Sequence, residues 1–475
     1  MTEKQNPFSE DKHLIQELLK IYANLKNGNA HSYIDEESFE RIITYFQDKE
    51  DLKNAAEAAE LAIGQYPWCA DLLVKKADIL LAKRKYHEAL AILDKAELLD
   101  SKDMNLYICK TDAYLALEME EEAIRLLQNA LTIFEGDDRI ELLFELGDVY
   151  DYYENFDKVF ESLKMILELE PNNEEALYKI CFWTDFTNRN EEGIKLHSDI
   201  IDNFPYNHLA WFNLGAAYQG IKLYEKAIDA YQYAIAIDEK FDYAYRNIGD
   251  AYIRLRKYKE AIEMLFKVVE LAKPEDVIFE AIAYCYDRMK NYSQARLYYR
   301  KAIHLNPGNT TLFYKMACTY FNDENYSSCI KQLEHALKIN THHPDFNLLM
   351  GECKLRSGLF EEAIDFFKIA VNARQKNAAG WEALIRCMYY AEFYDDAYDH
   401  AVAAKLYTTD KPVFLFYKSA ALFALGKNKE ALLQLEEAME KAPRLLRKFV
   451  DLNPSILQNH QVVDMIAKYK KRKSI

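Results

Sequence analysis

Glycine and proline are scarce in this chain, 13 and 10 of 475 residues, and apolar–polar alternation bounded by turn clusters is missing, so an all-helical soluble protein is expected. No window approaches the apolar length of a transmembrane helix, and the opening Met1-Thr2-Glu3-Lys4-Gln5-Asn6 lacks the stretch of a secretory signal. A cytoplasmic location is the expectation. The Asn-x-Ser/Thr acceptors at Asn291, Asn309 and Asn325 are then chance matches. Cysteine is limited to eight, with no Cys-x-x-Cys pair, which suits a reducing compartment and argues against disulfide or metal roles. A Gly-rich phosphate loop and a Gly-x-Ser-x-Gly elbow are both absent, and His87-Glu88 lacks the second histidine of a zinc-protease helix. His342-His343 reads as a solvated pair in a loop. No catalytic residue, metal site, cofactor or small-molecule substrate is expected. Positive charge is also short: 60 Lys+Arg against 77 Asp+Glu leave a net −17, which argues against nucleic-acid binding through the bulk surface. The one basic cluster, Lys468 to Lys473, reads as a terminus in solvent, so neither nucleic acid nor membrane is expected as a partner.

What is present is a period of 34 residues. Ala55, Ala89, Ala123, Ala227, Ala261, Ala295, Ala363, Ala397 and Ala431 share one column, with Val159, Gly193 and Cys329 in the gaps. Seven residues on, Ala62, Ala96, Ala130, Ala234, Ala302, Ala336, Ala370, Ala404 and Ala438 form a second, and Ala77, Gly147, Gly215, Gly249, Ala283, Ala317 and Gly351 form a third. Small side chains at fixed offsets are needed where helix backbones approach closely, so the columns describe one helix crossing repeated. Tyr114, Tyr150, Tyr218, Tyr252, Tyr286 and Tyr320 supply large knobs, and Tyr86, Phe156, Tyr224, Tyr258, Tyr292, Tyr326, Phe360 and Tyr394 supply others at the inter-helix turn. Pro67, Pro171, Pro205, Pro307 and Pro443 stop the second helix. Cys285, Cys353 and Cys387 share a column beside the small contacts and read as buried hydrophobes.

These columns, with Trp211-x-x-Leu214-Gly215-x-x-Tyr218 and Ala227-x-x-x-Tyr231, resemble tetratricopeptide repeats. Twelve can be aligned over residues 36–445, starting at Glu36, Ala70, Met104, Ile140, Glu174, His208, Asp242, Asp276, Thr310, Pro344, Ala378 and Pro412, with two extra residues around Gly136. The resemblance implies an all-α solenoid, a right-handed superhelix of antiparallel helix pairs, whose first helices line a concave groove that takes extended peptides or partner proteins. Residues 1–35 are expected to hold a capping helix near Glu10 to Lys26, with Leu14, Leu18, Ile21 and Leu25 on one face and Asn27-Gly28 as its stop. Residues 446–475 should hold a second cap with the basic tail, restarting at Asn453-Pro454 and using Ile456, Leu457, Val463 and Ile466.

Three features distinguish the expected groove. Asp78, Asp112 and Asp148 fall in successive repeats, thickened by Glu141, Glu145 and Asp151, a line that would attract a basic partner. Arg254, Arg288 and Arg356, with Asn322 between and Arg246 and Arg386 nearby, would suit an acidic segment unless internal pairs such as Arg246 with Asp250 neutralise them. Family members that grip a terminal carboxylate use asparagines matched here by Asn213 and Asn247, although their lysine and arginine partners do not align. The third feature is the aberrant fifth repeat, which holds Thr184 in the tyrosine column and Gly193 in the alanine column. Its Tyr178, Phe182 and Phe186 fall at i, i+4 and i+8 as an apolar anchor, flanked by Phe144, Tyr152 and Phe212; the alternative is that Trp183 distorts the helix and the aromatics fill the gap. The chain thus reads as a non-enzymatic scaffold or adaptor for a protein or peptide. An accessory subunit of an enzyme complex with a separate catalytic chain is the alternative.

Overall fold

The computed structural model describes residues 7–27, 33–409 and 411–472, with side chains from residue 14 to 469 of these. Gly28 and Lys473 lie outside the described residues, as do the side chains of Lys470, Lys471 and Arg472. The chain is 80% helical, and no strand occurs among the described residues. From Glu36–Asp48 to Asn428–Lys441 the helices follow one another as twelve pairs. They divide into two compact units, Met1–Ala244 and Tyr245–Ile475.

Local chemistry repeats along with the period. Asp35, Asp103, Asn173, Asn207, Asn309 and Asn377 each accept a backbone N–H at the start of a first helix, satisfying a donor that the helix itself leaves open. Every turn between the first and second helix of a pair contains one residue in the left-handed region: Glu50, Arg84, Glu118, Glu154, Asn188, Lys222, Arg256, Lys290, Glu324, Gly358, Glu392 and Gly426. That conformation lets the next residue's N–H reach back five residues. The carbonyls of Tyr114, Tyr150, Tyr218, Tyr252, Tyr286 and Tyr320 accept from Met119, Asn155, Leu223, Lys257, Asn291 and Asn325 at 2.8 to 2.9 Å. The tyrosine column therefore marks both a knob and the last hydrogen-bonded turn of its helix.

Packing follows the small columns. A Cβ on Gly215 would lie 2.6 Å from the Tyr231 ring, and one on Gly351 would lie 2.6 Å from Phe367. Those glycines are needed for close approach rather than for conformational freedom. The extra residues near Gly136 are absorbed by extending one first helix, Gly136–Tyr152, to 17 residues where its counterparts have about 13.

In the first unit, the Pro7–Lys26 helix packs Leu18 and Tyr22 against Ile34, Phe39, Ile42 and Ile43, with Ile15, Leu19 and Leu25 partly buried beside them. Leu14 and Ile21, expected on this face, are exposed. The helix carries two adjacent apolar stripes, and Tyr22 draws the buried face one position round. In the second unit, Asn453-Pro454 opens a 3-10 turn, Pro454–Gln458, and the α-helix resumes only at His460–Arg472. The shift buries Ile456 and Val462 and exposes Leu457 and Val463.

Candidate functional site

The fifth repeat departs from its neighbours in a physically coherent way. Its helices, Glu174–Phe186 and Asn190–Asn203, are both regular, so Trp183 does not distort the first. Thr184 donates its hydroxyl to the Ile180 carbonyl at 2.7 Å and is buried against Gly193, where a Cβ would meet Thr184 Cγ2 at 2.7 Å. A small residue replaces the tyrosine, and glycine replaces the alanine opposite. Away from that point the two helices approach each other little, and Glu174–Phe186 packs mainly on Phe156–Leu169 and His208–Gly220.

The aromatics released from the usual packing form a stack. Phe182 and Phe186 lie 5.5 Å apart with planes at 24°. Trp183 meets both edge-on and stacks on Phe156 at 5.4 Å, while Phe156 meets Phe186 edge-to-face at 5.0 Å. Phe182 and Phe186 are 60% and 55% exposed, large values for side chains that could bury 150 Å² or more each. Phe156 and Trp183 are half-buried and form the backing. Neither was legible as part of a surface: Phe156 occupies a knob column, and Trp183 has no counterpart in the period.

The other expected members do not join this stack. Tyr178 is exposed but lies toward Asp238 and Tyr243; burial, then Glu174, raises its pKa. Tyr152 is exposed and meets Tyr153 edge-to-face at 5.1 Å. Phe144 is half-buried beneath the Lys179 ammonium, 4.8 Å from its centroid. Phe212 is half-buried and packs on Phe241 and Tyr231 at 5.1 and 5.4 Å, inside its own repeat, rather than against the stack. Asn213 is buried, its amide donating to the Leu177 carbonyl at 2.7 Å. It ties one first helix to the next and offers nothing to a partner. Asn247 is half-buried.

The acidic column comes together more tightly than its spacing implied. Glu145 sits among its members: burial, then Asp112, Asp148 and Glu141, pushes its pKa up to about 7. Burial and Asp78 raise Asp112; burial raises Asp148, partly offset by Lys179. Asp78 accepts from the Gln47 amide at 2.7 Å. Asp78, Asp112 and Asp148 still reach solvent, so the line is a crowded, accessible strip of negative charge in the first unit. In the second unit Arg254, Arg288 and Arg356 are all exposed, as is Asn322. Arg254 Nε lies 3.6 Å from Asp250. Arg288 is hydrogen-bonded by the Tyr258 side chain, which raises its pKa, while Arg246 pairs with Glu275 at 2.9 Å and Arg386 pairs with Glu352.

Successive helix pairs of near-constant length, joined by one turn type and packed through the same small-residue columns, define an α-solenoid of helical repeats. Residues 217–347 match the family model of the tetratricopeptide repeat protein 21 C-terminal ARM domain, and residues 323–386 match that of the tetratricopeptide repeat. Residues 217–386 are thus matched to tetratricopeptide-type repeats, and the helix pairs on either side of them have the same form. Among solved structures it is similar to the C-terminal part of a TPR repeat-containing protein from Cytophaga hutchinsonii, at 14% identity over 54% of this chain and 99% of that one, with a TM-score of 0.44. It is also similar to a tetratricopeptide repeat protein from Parabacteroides merdae, at 20% identity over 52% and 98%, TM-score 0.37. A third is YrrB, described as a TPR protein with an unusual peptide-binding site, at 18% identity over 39% and 96%, TM-score 0.35. No curated protein matches significantly. The repeat fold supports a role in protein interaction, and no described helix is long and apolar enough to cross a membrane.

Proposed function

We propose that this chain is a non-enzymatic interaction scaffold that holds a protein partner on the first-helix surface of its fifth repeat, with Phe182 and Phe186 as the apolar anchor. The observation that carries the reading is the pair of stacked phenylalanine rings, each more than half exposed and backed by Phe156 and Trp183. Exposed aromatic clusters on a rigid helix mark partner surfaces, and such anchors dominate binding energy. Tyr178 and Tyr152 extend the apolar surface on either side. The strip of Asp78, Asp112 and Asp148 supplies attraction for basic residues in the first unit, and Arg254, Arg288 and Arg356 supply the converse in the second. Eight free cysteines suit a reducing compartment, and we place the protein in the cytoplasm on that ground.

The test is affinity capture with the tagged full chain from its own cells, beside melting of the same proteins. Phe182→Ala and Phe186→Ala should each cost about 2 kcal/mol in partner binding, roughly thirtyfold, and change stability by less than about 1 kcal/mol. Loss of about 3 kcal/mol or more of stability in both variants would show that the rings act as core, and the anchor reading would fall.

A further inference from the structure

Beside the phenylalanine stack, the turn after the fourth repeat's first helix and the end of the Glu174–Phe186 helix flank an open surface pocket of about 430 Å³. The rings of Phe156 and Phe186 line it, edge to face at 5.0 Å, and Glu120, Glu154 and Asp157 stand around them. Asp157 is engaged by Arg189 Nε at 3.2 Å. Glu120 and Glu154 are exposed and have no ion-pair partner among the described residues. Tyr153 also lines the pocket, and its hydroxyl is buried without a hydrogen-bond partner. Burial first, then Tyr152 and Glu120, raises the pKa of that phenol, so it stays a neutral hydroxyl.

Two aromatic rings and two uncommitted carboxylates around one pocket form a site for a cation that brings several N–H donors, with the Tyr153 hydroxyl covered beneath its surface. An anion would face Glu120 and Glu154, and a purely apolar side chain would leave both carboxylates without partners as it displaced water. A planar guanidinium satisfies both. It can lie on an aromatic ring while its fork reaches carboxylate oxygens, whereas a lysine ammonium is a point charge that does one or the other. Phe186 belongs both to the pocket wall and to the exposed stack with Phe182, so a ligand in the pocket is contiguous with a ligand on the anchor. We propose that this pocket receives an arginine side chain of the partner segment whose apolar residue covers Phe182 and Phe186. The proposal rests on the docking reading above and adds the partner's chemistry: an arginine close in sequence to a large apolar residue.

The experiment selects displayed random twelve-residue peptides on the full-length protein, with counter-selection on the Glu120→Gln, Glu154→Gln double variant. Both substitutions fall at exposed positions and circular dichroism should show unchanged helix. The selected peptides should carry an arginine within a few residues of Phe, Trp or Leu. A fluorescein-labelled selected peptide should lose at least tenfold in affinity when its arginine is replaced by citrulline. The double variant should show a similar loss for the arginine peptide and little further loss for the citrulline one. Equal binding of the two peptides to the parent protein, or undiminished binding of the arginine peptide by the double variant, overturns the arginine site. If such peptides remain sensitive to Phe182→Ala, the docking surface itself stands; insensitivity to Phe182→Ala, or an empty selection, overturns both.

Discussion

His197 occupies the place that Leu163, Tyr231, Leu265, Tyr299 and Leu333 hold in other repeats, and it is a poor replacement. Only 1% of its surface is exposed, and neither ring nitrogen has a hydrogen-bond partner. Burial pushes its pKa down to about 3, so the imidazole is neutral in the folded protein near pH 7. The unfolded chain protonates near the ordinary value of about 6.5. A depressed folded pKa means that the full stability is present above about 6.5 and is lost progressively as the pH falls toward 3. At pH 5 the loss should be about 2 kcal/mol. His197→Leu should remove that term and, by eliminating two unsatisfied nitrogens, gain about 1 kcal/mol even at pH 7.5. Urea midpoints of parent and variant at the two pH values check this: the gap between them must widen on acidification, and a constant gap would sink the account. The unpartnered Asn190 Oδ1, seven residues earlier and packed on Gly220, shows that the second helix of this repeat carries more than one polar misfit. Local departures from a regular pattern are expected where function rather than packing sets the sequence.

At the scale of the helix and its turn, the left-handed residue is the least economical part of the repeat. Ten of the twelve turns place Glu, Lys, Arg or Asn there, and only Gly358 and Gly426 use the residue that tolerates it freely. Non-glycine residues in this region cost about 1 kcal/mol each. Glu324→Gly should therefore stabilise by about 0.5 to 1 kcal/mol, and Gly358→Glu should destabilise by a comparable amount. At Gly358 a Cβ would meet nothing within 4 Å, so backbone strain is the only term in play. Thermal melting of the two variants should show shifts of opposite sign, and shifts of the same sign would refute the assignment. These turns also show where sequence reading stops. The small and large columns were legible because close packing restricts side-chain size at every repeat. The turn residues were not, because long charged side chains carry no turn signature and only the hydrogen bond back to the tyrosine carbonyl reveals the geometry. Within the candidate site, Phe182 and Phe186 could be found from their spacing, whereas Phe212, which shares the helical phase of Tyr178, packs on Phe241 of its own repeat, and Asn213, one position round, is tied to the Leu177 carbonyl of the preceding repeat. Period alone cannot tell a first-helix residue that faces outward from one that a neighbour covers.

Across the whole molecule, stability should be distributed repeat by repeat. In a helical-repeat array each pair draws its burial from adjacent pairs, so cooperativity weakens with distance along the chain and a single two-state transition over 475 residues is not expected. The local features make this measurable. His197 lies in the Met1–Ala244 unit, and the C-terminal core around Trp381, Phe414, Phe416 and Phe449 lies in Tyr245–Ile475. Proteins retaining only Trp211 or only Trp381, with the other tryptophans replaced by Phe, report on the two units separately. Urea unfolding followed by Trp211 fluorescence should move to lower midpoint between pH 7.5 and pH 5, because the buried imidazole is two repeats or fewer from that reporter. The Trp381 midpoint should move much less, and the slope of each transition should fall below that expected if the entire chain's surface were exposed in one step. Installing His197→Leu in the Trp211 reporter should then bring its pH response close to that of Trp381. If the two reporters keep coincident midpoints at both pH values, with slopes matching full-chain exposure, the chain unfolds as one block and the local effect of His197 is shared by every repeat.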